Sequence, residues 1–485
     1  MIGRTCQANS TSRVTVMRQS IVLHFLFCLC LIRTQAQSSP SAAPQLTPQA
    51  AYDQATRPLE IPRRSAQNWS EVELAALQIA IDQAKASCNA RTADQFTGED
   101  LLAYARLCGL GKQWGPVEQA ASIYLYSAEQ VTNPAEKLSS FPNLTTAFDY
   151  EIHASLHLIK PRNAVLTVKT MLQTAPYDNF ASEAINDTVR YVQLTDTDQA
   201  LALLSQRQPI LLSLIKSYAS ANPHAPLPLH VLYAEAVALP AMQQFANQVE
   251  AAAASFAELE TALPTPLAPD DAIFIAETRR QYLLLGSHLP TFTTTAWLLD
   301  SLPTTPQDFR SNFGSATVFF LFPDWCNQCV ALNPTFNPSA RRLRESNAHF
   351  FVLLAQANPS PRSSPKEQTA NRGAQTDTPK SARLAPFPGE KPGTPYVELQ
   401  LNIKSSAAAL LAGTPTFVVP KETLDSFVAT DFPLIVVTDH QGIIRAIQPV
   451  PDDAMIPGSF VDQLVHHVID HWPSSTSKSN TVSHD

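Results

Sequence analysis

Two cysteines with two residues between them stand at the end of an apolar run. The order is Ala316-Thr317-Val318-Phe319-Phe320-Leu321-Phe322, then Pro323-Asp324-Trp325-Cys326-Asn327-Gln328-Cys329. Cysteines at i and i+3 on a helix share one turn and are close enough to close a disulfide. The chemistry they permit is thiol–disulfide exchange, in which a thiolate attacks a disulfide sulfur. The β-branched and aromatic run predicts a buried strand. Val330, Leu332, Phe336, Ala340 and Leu343 continue at helical spacing, with Arg341, Arg342 and Arg344 on the outer face. Cys326 is therefore expected where a strand ends and a helix begins. Free backbone N–H groups and the helix dipole favour an anion there, and so favour the Cys326 thiolate.

Other uses of two cysteines fit less well. A zinc site needs four ligands, and a second Cys-x-x-Cys pair is missing. His466, His467 and His471 lie on the last expected helix as solvated surface groups, so no metal is expected. A peroxidatic cysteine follows a Pro and Thr pattern that Pro323-Asp324-Trp325 does not match.

The elements that must position the pair follow in the sequence. His349 to Ala355 and Thr416 to Val419 are expected strands, the second followed by a helix from about Lys421 to Ala429. Asp431 to Asp439 begins a further strand. His440-Gln441-Gly442 turns it, and Ile443 to Ile447 returns antiparallel. Phe460 to Trp472 reads as an amphipathic helix with Val461, Leu464, Val465 and Ile469 inward. Together, residues 300–472 resemble the thioredoxin fold, and more narrowly the exported thiol–disulfide oxidoreductases of the TlpA and redoxin group. The resemblance rests on strand–Trp325–Cys326-x-x-Cys329–helix, on the strand opened by Phe432-Pro433, and on the closing helix.

That resemblance implies roles. Cys326 is the attacking thiolate and Cys329 the resolving thiol. Trp325 shields the pair. Pro433 is cis and packs against it, and the backbone beside it pairs with an extended substrate segment. Pro415, in Gly413-Thr414-Pro415-Thr416, is the rival for the cis position; the strand–turn–strand after Pro433 favours Pro433. Partners are protein thiols and disulfides, and the dithiol needs no cofactor. Three departures stand beside this. Residues 358–395 are rich in Pro, Ser, Lys, Arg and Gln and read as a disordered insertion. Asn-Gln lies between the cysteines. Asp324 beside the pair opposes thiolate formation. Reductase and oxidase directions both stay open. So does a non-catalytic reading, in which the domain is vestigial and the chain is a helical scaffold or binding protein.

The rest of the chain is helical in pattern. Residues 67–299 read as an all-helical hairpin array, so the expected fold class is a helical array followed by a thioredoxin-like α/β domain. Leu74, Ala75, Leu77, Ile79, Ala80 and Ile81 mark the apolar positions of a first helix. Leu101 to Leu110 mark a second and Ala120 to Tyr126 a third, with a Gly115-Pro116 turn between those two. Ala154 to Leu172 forms another pair, and Leu229 to Leu263 one more, divided at Pro240. Tyr104, Leu107, Ala120 and Tyr124 resemble one tetratricopeptide-type repeat; an irregular bundle is the alternative. Partner docking is the role such an array implies. Cys88 and Cys108 fall on neighbouring helices, either bridged or as two buried thiols.

Arg4, Arg13 and Arg18 precede an apolar run from Ile21 to Ile32, and Thr34-Gln35-Ala36 offers a small-residue cleavage site. Residues 1–37 are therefore expected to be a signal peptide, and the product exported, periplasmic or secreted. The twelve-residue run spans about 18 Å as helix, short of a ~30 Å hydrocarbon core, and the mature chain contains no other membrane-length segment. Residues 38–66 read as a disordered linker and 473–485 as a disordered tail. Asn68-Trp69-Ser70, Asn143-Leu144-Thr145 and Asn186-Asp187-Thr188 are glycosylation-type triplets. The 485 residues carry 34 Lys plus Arg against 42 Asp plus Glu, a net of −8. That balance lacks the basic surplus a nucleic-acid footprint needs. No glycine-rich phosphate loop occurs.

Overall fold

In the computed structural model the apolar run becomes strand β2 (Ala316–Pro323), with all eight residues buried. The structure describes residues 46–60, 71–218, 226–298, 313–356, 384–385, 409–411, 413–430, 432–450 and 457–473. The other sheet strands are β1 (Ala296–Leu298), β3 (Ala348–Gln356), β4 (Leu384–Ala385), β5 (Thr416–Pro420), β6 (Leu434–Asp439) and β7 (Ile444–Pro449). Their order across a mixed sheet is β4-β1-β5-β3-β2-β6-β7. β2 pairs with β3 in parallel, and helix α13 (Asn327–Glu345) supplies the crossover that parallel strands require. β2 also pairs with β6 antiparallel, setting Leu321 opposite Leu434.

Alternation along β2 feeds two cores. Val318, Phe320 and Phe322 face Val330, Phe336 and Leu343 of α13 and the closing helix α15 (Pro457–His471). Phe319 and Leu321 face the opposite way, onto Phe351, Phe417, Phe427 and Val436. The short helix α14 (Glu422–Ser426) covers part of that second face. It is shorter than its expected span because Val428 leaves the helical region at φ 51°.

The preceding part is helical: α1 (Pro48–Thr56), α2 (Glu71–Asn89), α3 (Glu99–Leu110), α4 (Trp114–Glu129), α5 (Pro134–Ser140), α6 (Leu144–His157), α7 (Pro161–Thr174), α8 (Asn179–Val192), α9 (Thr197–Lys216), α10 (Leu229–Phe245), α11 (Val249–Ala262) and α12 (Pro269–Tyr282). Three hairpins, α3–α4, α6–α7 and α10–α11, share one turn design. Lys112, Ile159 and Asn247 each adopt positive φ at the helix end. The next N–H then reaches back five residues: Gln113 to Cys108 O, Lys160 to Ser155 O and Gln248 to Gln243 O, each at 2.8 Å. This is the Schellman C-cap, made here without glycine. The turns recur at wider intervals than the ~34 residues of a tetratricopeptide repeat.

These turns correct two sequence expectations. Gly115 and Pro116 lie in the first turn of α4, where a missing N–H costs little. Pro240 sits inside α10, and the break comes after Phe245. The first helix is also turned from its expected face. Leu74 and Ile79 are exposed, and Ala76, Ala80, Ala84 and Cys88 form the buried seam. These small side chains admit a close approach: a Cβ on Gly111 would meet the Lys85 nitrogen at 2.6 Å.

Three domain boundaries also move. Within the expected linker 38–66, Pro48–Thr56 is helix, held by Ala51 and Ala55 against Ala84 and Leu107. β1 lies before residue 300 and already belongs to the sheet. Leu384–Ala385, within the expected insertion 358–395, pairs with β1. The expected signal segment 1–37, the rest of that insertion and residues 474–485 of the expected tail lie outside the described residues. From Pro48 onward the described residues form one compact unit. Helices and sheet meet at several points within it. Gln193 Nε2 donates to Gln448 Oε1 at 3.1 Å, and Ile444 N–H to Ser287 O at 2.8 Å. His467, expected as a solvated group, is buried instead. Its Nε2 lies 2.8 Å from Phe245 O, and its ring stacks on Phe245. Burial lowers its pKa.

Cys88 and Cys108 are bridged, with an S–S distance of 2.02 Å and 20 residues of sequence separation. The bridge is fully buried between α2 and α3. A loop of this length restricts the unfolded chain by about 3 kcal/mol. Cys88→Ala with Cys108→Ala is therefore expected to lower the urea-unfolding free energy by that amount. An unchanged midpoint would mean the bridge adds nothing.

Candidate functional site

Cys326 caps the start of α13. Its Sγ accepts a hydrogen bond from the Cys329 N–H at 3.3 Å, and the two sulfurs are bonded at 2.02 Å. The turn that delivers it is tied down on both sides. Asp324 N–H donates to Ala355 O at 2.8 Å, and Cys326 N–H to Pro323 O at 3.0 Å. The two sulfurs differ in access. Cys326 is 7% exposed and Cys329 0%. An incoming group can therefore approach only Cys326.

The residues singled out around the pair come together at this end of the sheet. The Phe432–Pro433 peptide is cis, and Thr414–Pro415 is trans. One register step beyond Leu321–Leu434 sets Pro433 beside the end of β2. Trp325 is half-buried and meets the Phe432 ring edge-on at 6.0 Å. Cys88 and Cys108 lie elsewhere, between α2 and α3. Asp324 is fully buried next to the pair.

Sequence reasoning passed over Asn333 and Thr414. Asn333 is fully buried on α13, one turn beyond Cys329. Its Nδ2 donates to Leu410 O at 2.8 Å and lies 3.2 Å from Thr414 Oγ1, which in turn donates to Asn337 Oδ1 at 2.8 Å. This network ties the cysteine-bearing helix to the loop before β5. The available signal was polar residues at 333 and 337, in helical spacing with inward-facing Val330.

A second cluster of titratable groups lies in the helical part. His153 Nε2 is 2.8 Å from Asp187 Oδ2, and its Nδ1 is 3.1 Å from Asp149 Oδ1. Burial pulls the imidazole pKa down, but hydrogen bonds and charge from both carboxylates outweigh it and hold it at about 10. The unfolded value is ~6.5, so this contribution is complete below pH 6.5 and is lost as pH rises toward 10. Raising pH from 6.5 to 9 is expected to remove on the order of 1–2 kcal/mol of stability. His153→Gln should flatten that slope in urea titrations; an unaltered slope would assign it to other groups. Nearby, Asn186 of the third glycosylation-type triplet accepts from Arg207 at 2.7 Å, and Thr188 is fully buried. Among the described residues no group of three or more His, Cys, Asp and Glu could hold a metal ion, and no helix is long and apolar enough to cross a membrane.

No protein family matches the chain, and no curated protein does. A crystal structure of a thioredoxin-like protein from Bacteroides caccae is similar over 73% of this chain and 93% of that one, at 12% identity and a TM-score of 0.24.

Proposed function

We propose that this chain is a thiol–disulfide oxidoreductase with a thioredoxin-like domain, preceded by a tetratricopeptide-like helical region that docks partner proteins. One observation carries the reading. A bonded Cys-x-x-Cys pair sits at a strand-to-helix junction, with its more accessible sulfur at the helix N-terminus and a cis proline beside the strand end. In the reducing direction, the Cys326 thiolate attacks a substrate disulfide. A mixed disulfide forms and one substrate thiolate leaves. Cys329, losing its proton to solvent, then attacks Cys326 Sγ. The internal disulfide forms and the second substrate thiolate leaves. The substrate gains two electrons and the pair loses two; the oxidising direction is the reverse. The helix N-terminus favours the Cys326 thiolate as attacking and leaving group. Trp325 shields the pair, and the backbone at Phe432 pairs with an extended substrate segment. Two disulfides fit an oxidising compartment, which supports reading residues 1–37 as an export signal.

A second reading draws on the near-complete burial of the pair. An inert disulfide in a vestigial domain would leave a helical scaffold as the working part. Insulin reduction with dithiothreitol as electron donor separates the two. Catalysis that disappears in Cys326→Ser supports the oxidoreductase. A wild-type chain no faster than dithiothreitol alone supports the scaffold.

A further inference from the structure

Strand β7 is the last strand of the sheet among the described residues, paired with β6 on one side. Its other edge is bonded at Ile444 by Gly286 and Ser287, and residues 445–449 meet α8 and α10 across a cleft of about 270 Å³. The apolar lining comes from Ala238, Ala241, Met242 and Phe245 of α10 with Ile447 of β7. The polar lining is largely amide: Asn186 and the Gln193–Gln448 pair, which bond each other and leave Gln193 Oε1 and Gln448 Nε2 to meet a ligand.

Two arginines also reach this cleft, and each already has a carboxylate. Arg190 Nη1 lies 3.3 Å from Asp187 Oδ1, and Arg445 Nη2 lies 2.8 Å from Asp439 Oδ2. The cleft therefore offers hydrogen bonds without a free positive charge, which favours neutral peptide groups over a free anion. Asn186 is held in place from behind by buried Arg207. The volume admits a large apolar side chain with its flanking peptide groups. One strand, β6, separates the cleft from the candidate site: Val450, next to the lining residue Pro449, donates its N–H to Pro433 O at 3.0 Å.

We propose that this cleft binds an extended segment of the partner polypeptide, seating an apolar side chain against α10 and peptide groups against the amides and the β7 edge. That this partner is also the disulfide substrate rests on the exchange reading; the binding does not. The probe is fluorescein-labelled insulin B chain with carbamidomethylated cysteines, which cannot exchange. Anisotropy titration against the full chain is expected to show saturable binding. Ala241→Trp fills the cleft and is expected to weaken it about tenfold, with a smaller loss for Gln448→Ala. Circular dichroism checks that each variant is folded; if Ala241→Trp is not, Ala241→Leu and Gln448→Ala are read instead. No saturable binding, or binding indifferent to both positions in folded variants, overturns the proposal. Cleft-dependent binding in a chain that fails insulin reduction retires the exchange reading and keeps the cleft. Insulin reduction that proceeds with no cleft-dependent binding does the opposite.

Discussion

Cys326→Ser is expected to lower catalysed insulin reduction by at least about a hundredfold, to the rate of dithiothreitol alone, because it removes the attacking sulfur itself. Cys329→Ala is expected to behave differently. It leaves Cys326 able to attack but removes the thiol that resolves the intermediate. Substrate proteins should then accumulate on Cys326 as mixed disulfides, visible on non-reducing gels and located by mass spectrometry. The asymmetry follows from access: Cys326 is the sulfur near the surface, and Cys329 is completely enclosed. Full activity in Cys326→Ser, or capture of substrate by Cys326→Ser through its Cys329, would remove the mechanism. Cys326→Ser with Cys329→Ala serves as the blank for capture.

The site was legible in the sequence because its signals are local. Strand end, cysteine spacing and helix start are consecutive, and each follows from periodicity or from hydrogen-bonding groups left open at a helix terminus. The choice of Pro433 over Pro415 came from the strand–turn–strand that follows it. The helical region was legible in its elements but not in its joints. Gly-Pro and a lone proline looked like breaks, yet Pro116 and Pro240 lie within helices. Two of the real turns use Lys112 and Ile159 at positive φ, residue types that do not announce a turn; the third uses Asn247, which favours that region. The buried face of α2 is hidden in the sequence for a related reason. Alanine gives little hydrophobic signal, but its small size is what lets α1 and α3 pack close. His467 reads as a surface group in the sequence because its partner, Phe245, is distant along the chain.

Glu235→Ala is expected to destabilise the helical region by about 2–5 kcal/mol, because it leaves two buried hydroxyls without their charged acceptor. Glu235 is almost wholly buried on α10 and accepts hydrogen bonds from the hydroxyls of Tyr177 and Ser182. Arg207 of α9, 1% exposed, donates to the Glu235 backbone carbonyl at 2.9 Å and to Asn186 of α8 at 2.7 Å. Burial raises the Tyr177 pKa, with Glu235 adding to it and Arg207 opposing it. Three helices thus meet on one charged core. With alanine at 235, two buried hydroxyls lose their acceptor, and the guanidinium, bonded to carbonyl oxygens and not to this carboxylate, loses a nearby opposite charge. Glu235→Gln keeps an acceptor and loses the charge, so it should fall between wild type and alanine. Replacing both charged groups, Arg207→Met with Glu235→Leu, should cost less than the sum of the two single changes, because neither charge is then left buried alone. Urea unfolding of wild type, Arg207→Met, Glu235→Leu and the double variant measures the coupling. Strictly additive losses would show that the carboxylate and the guanidinium do not depend on each other.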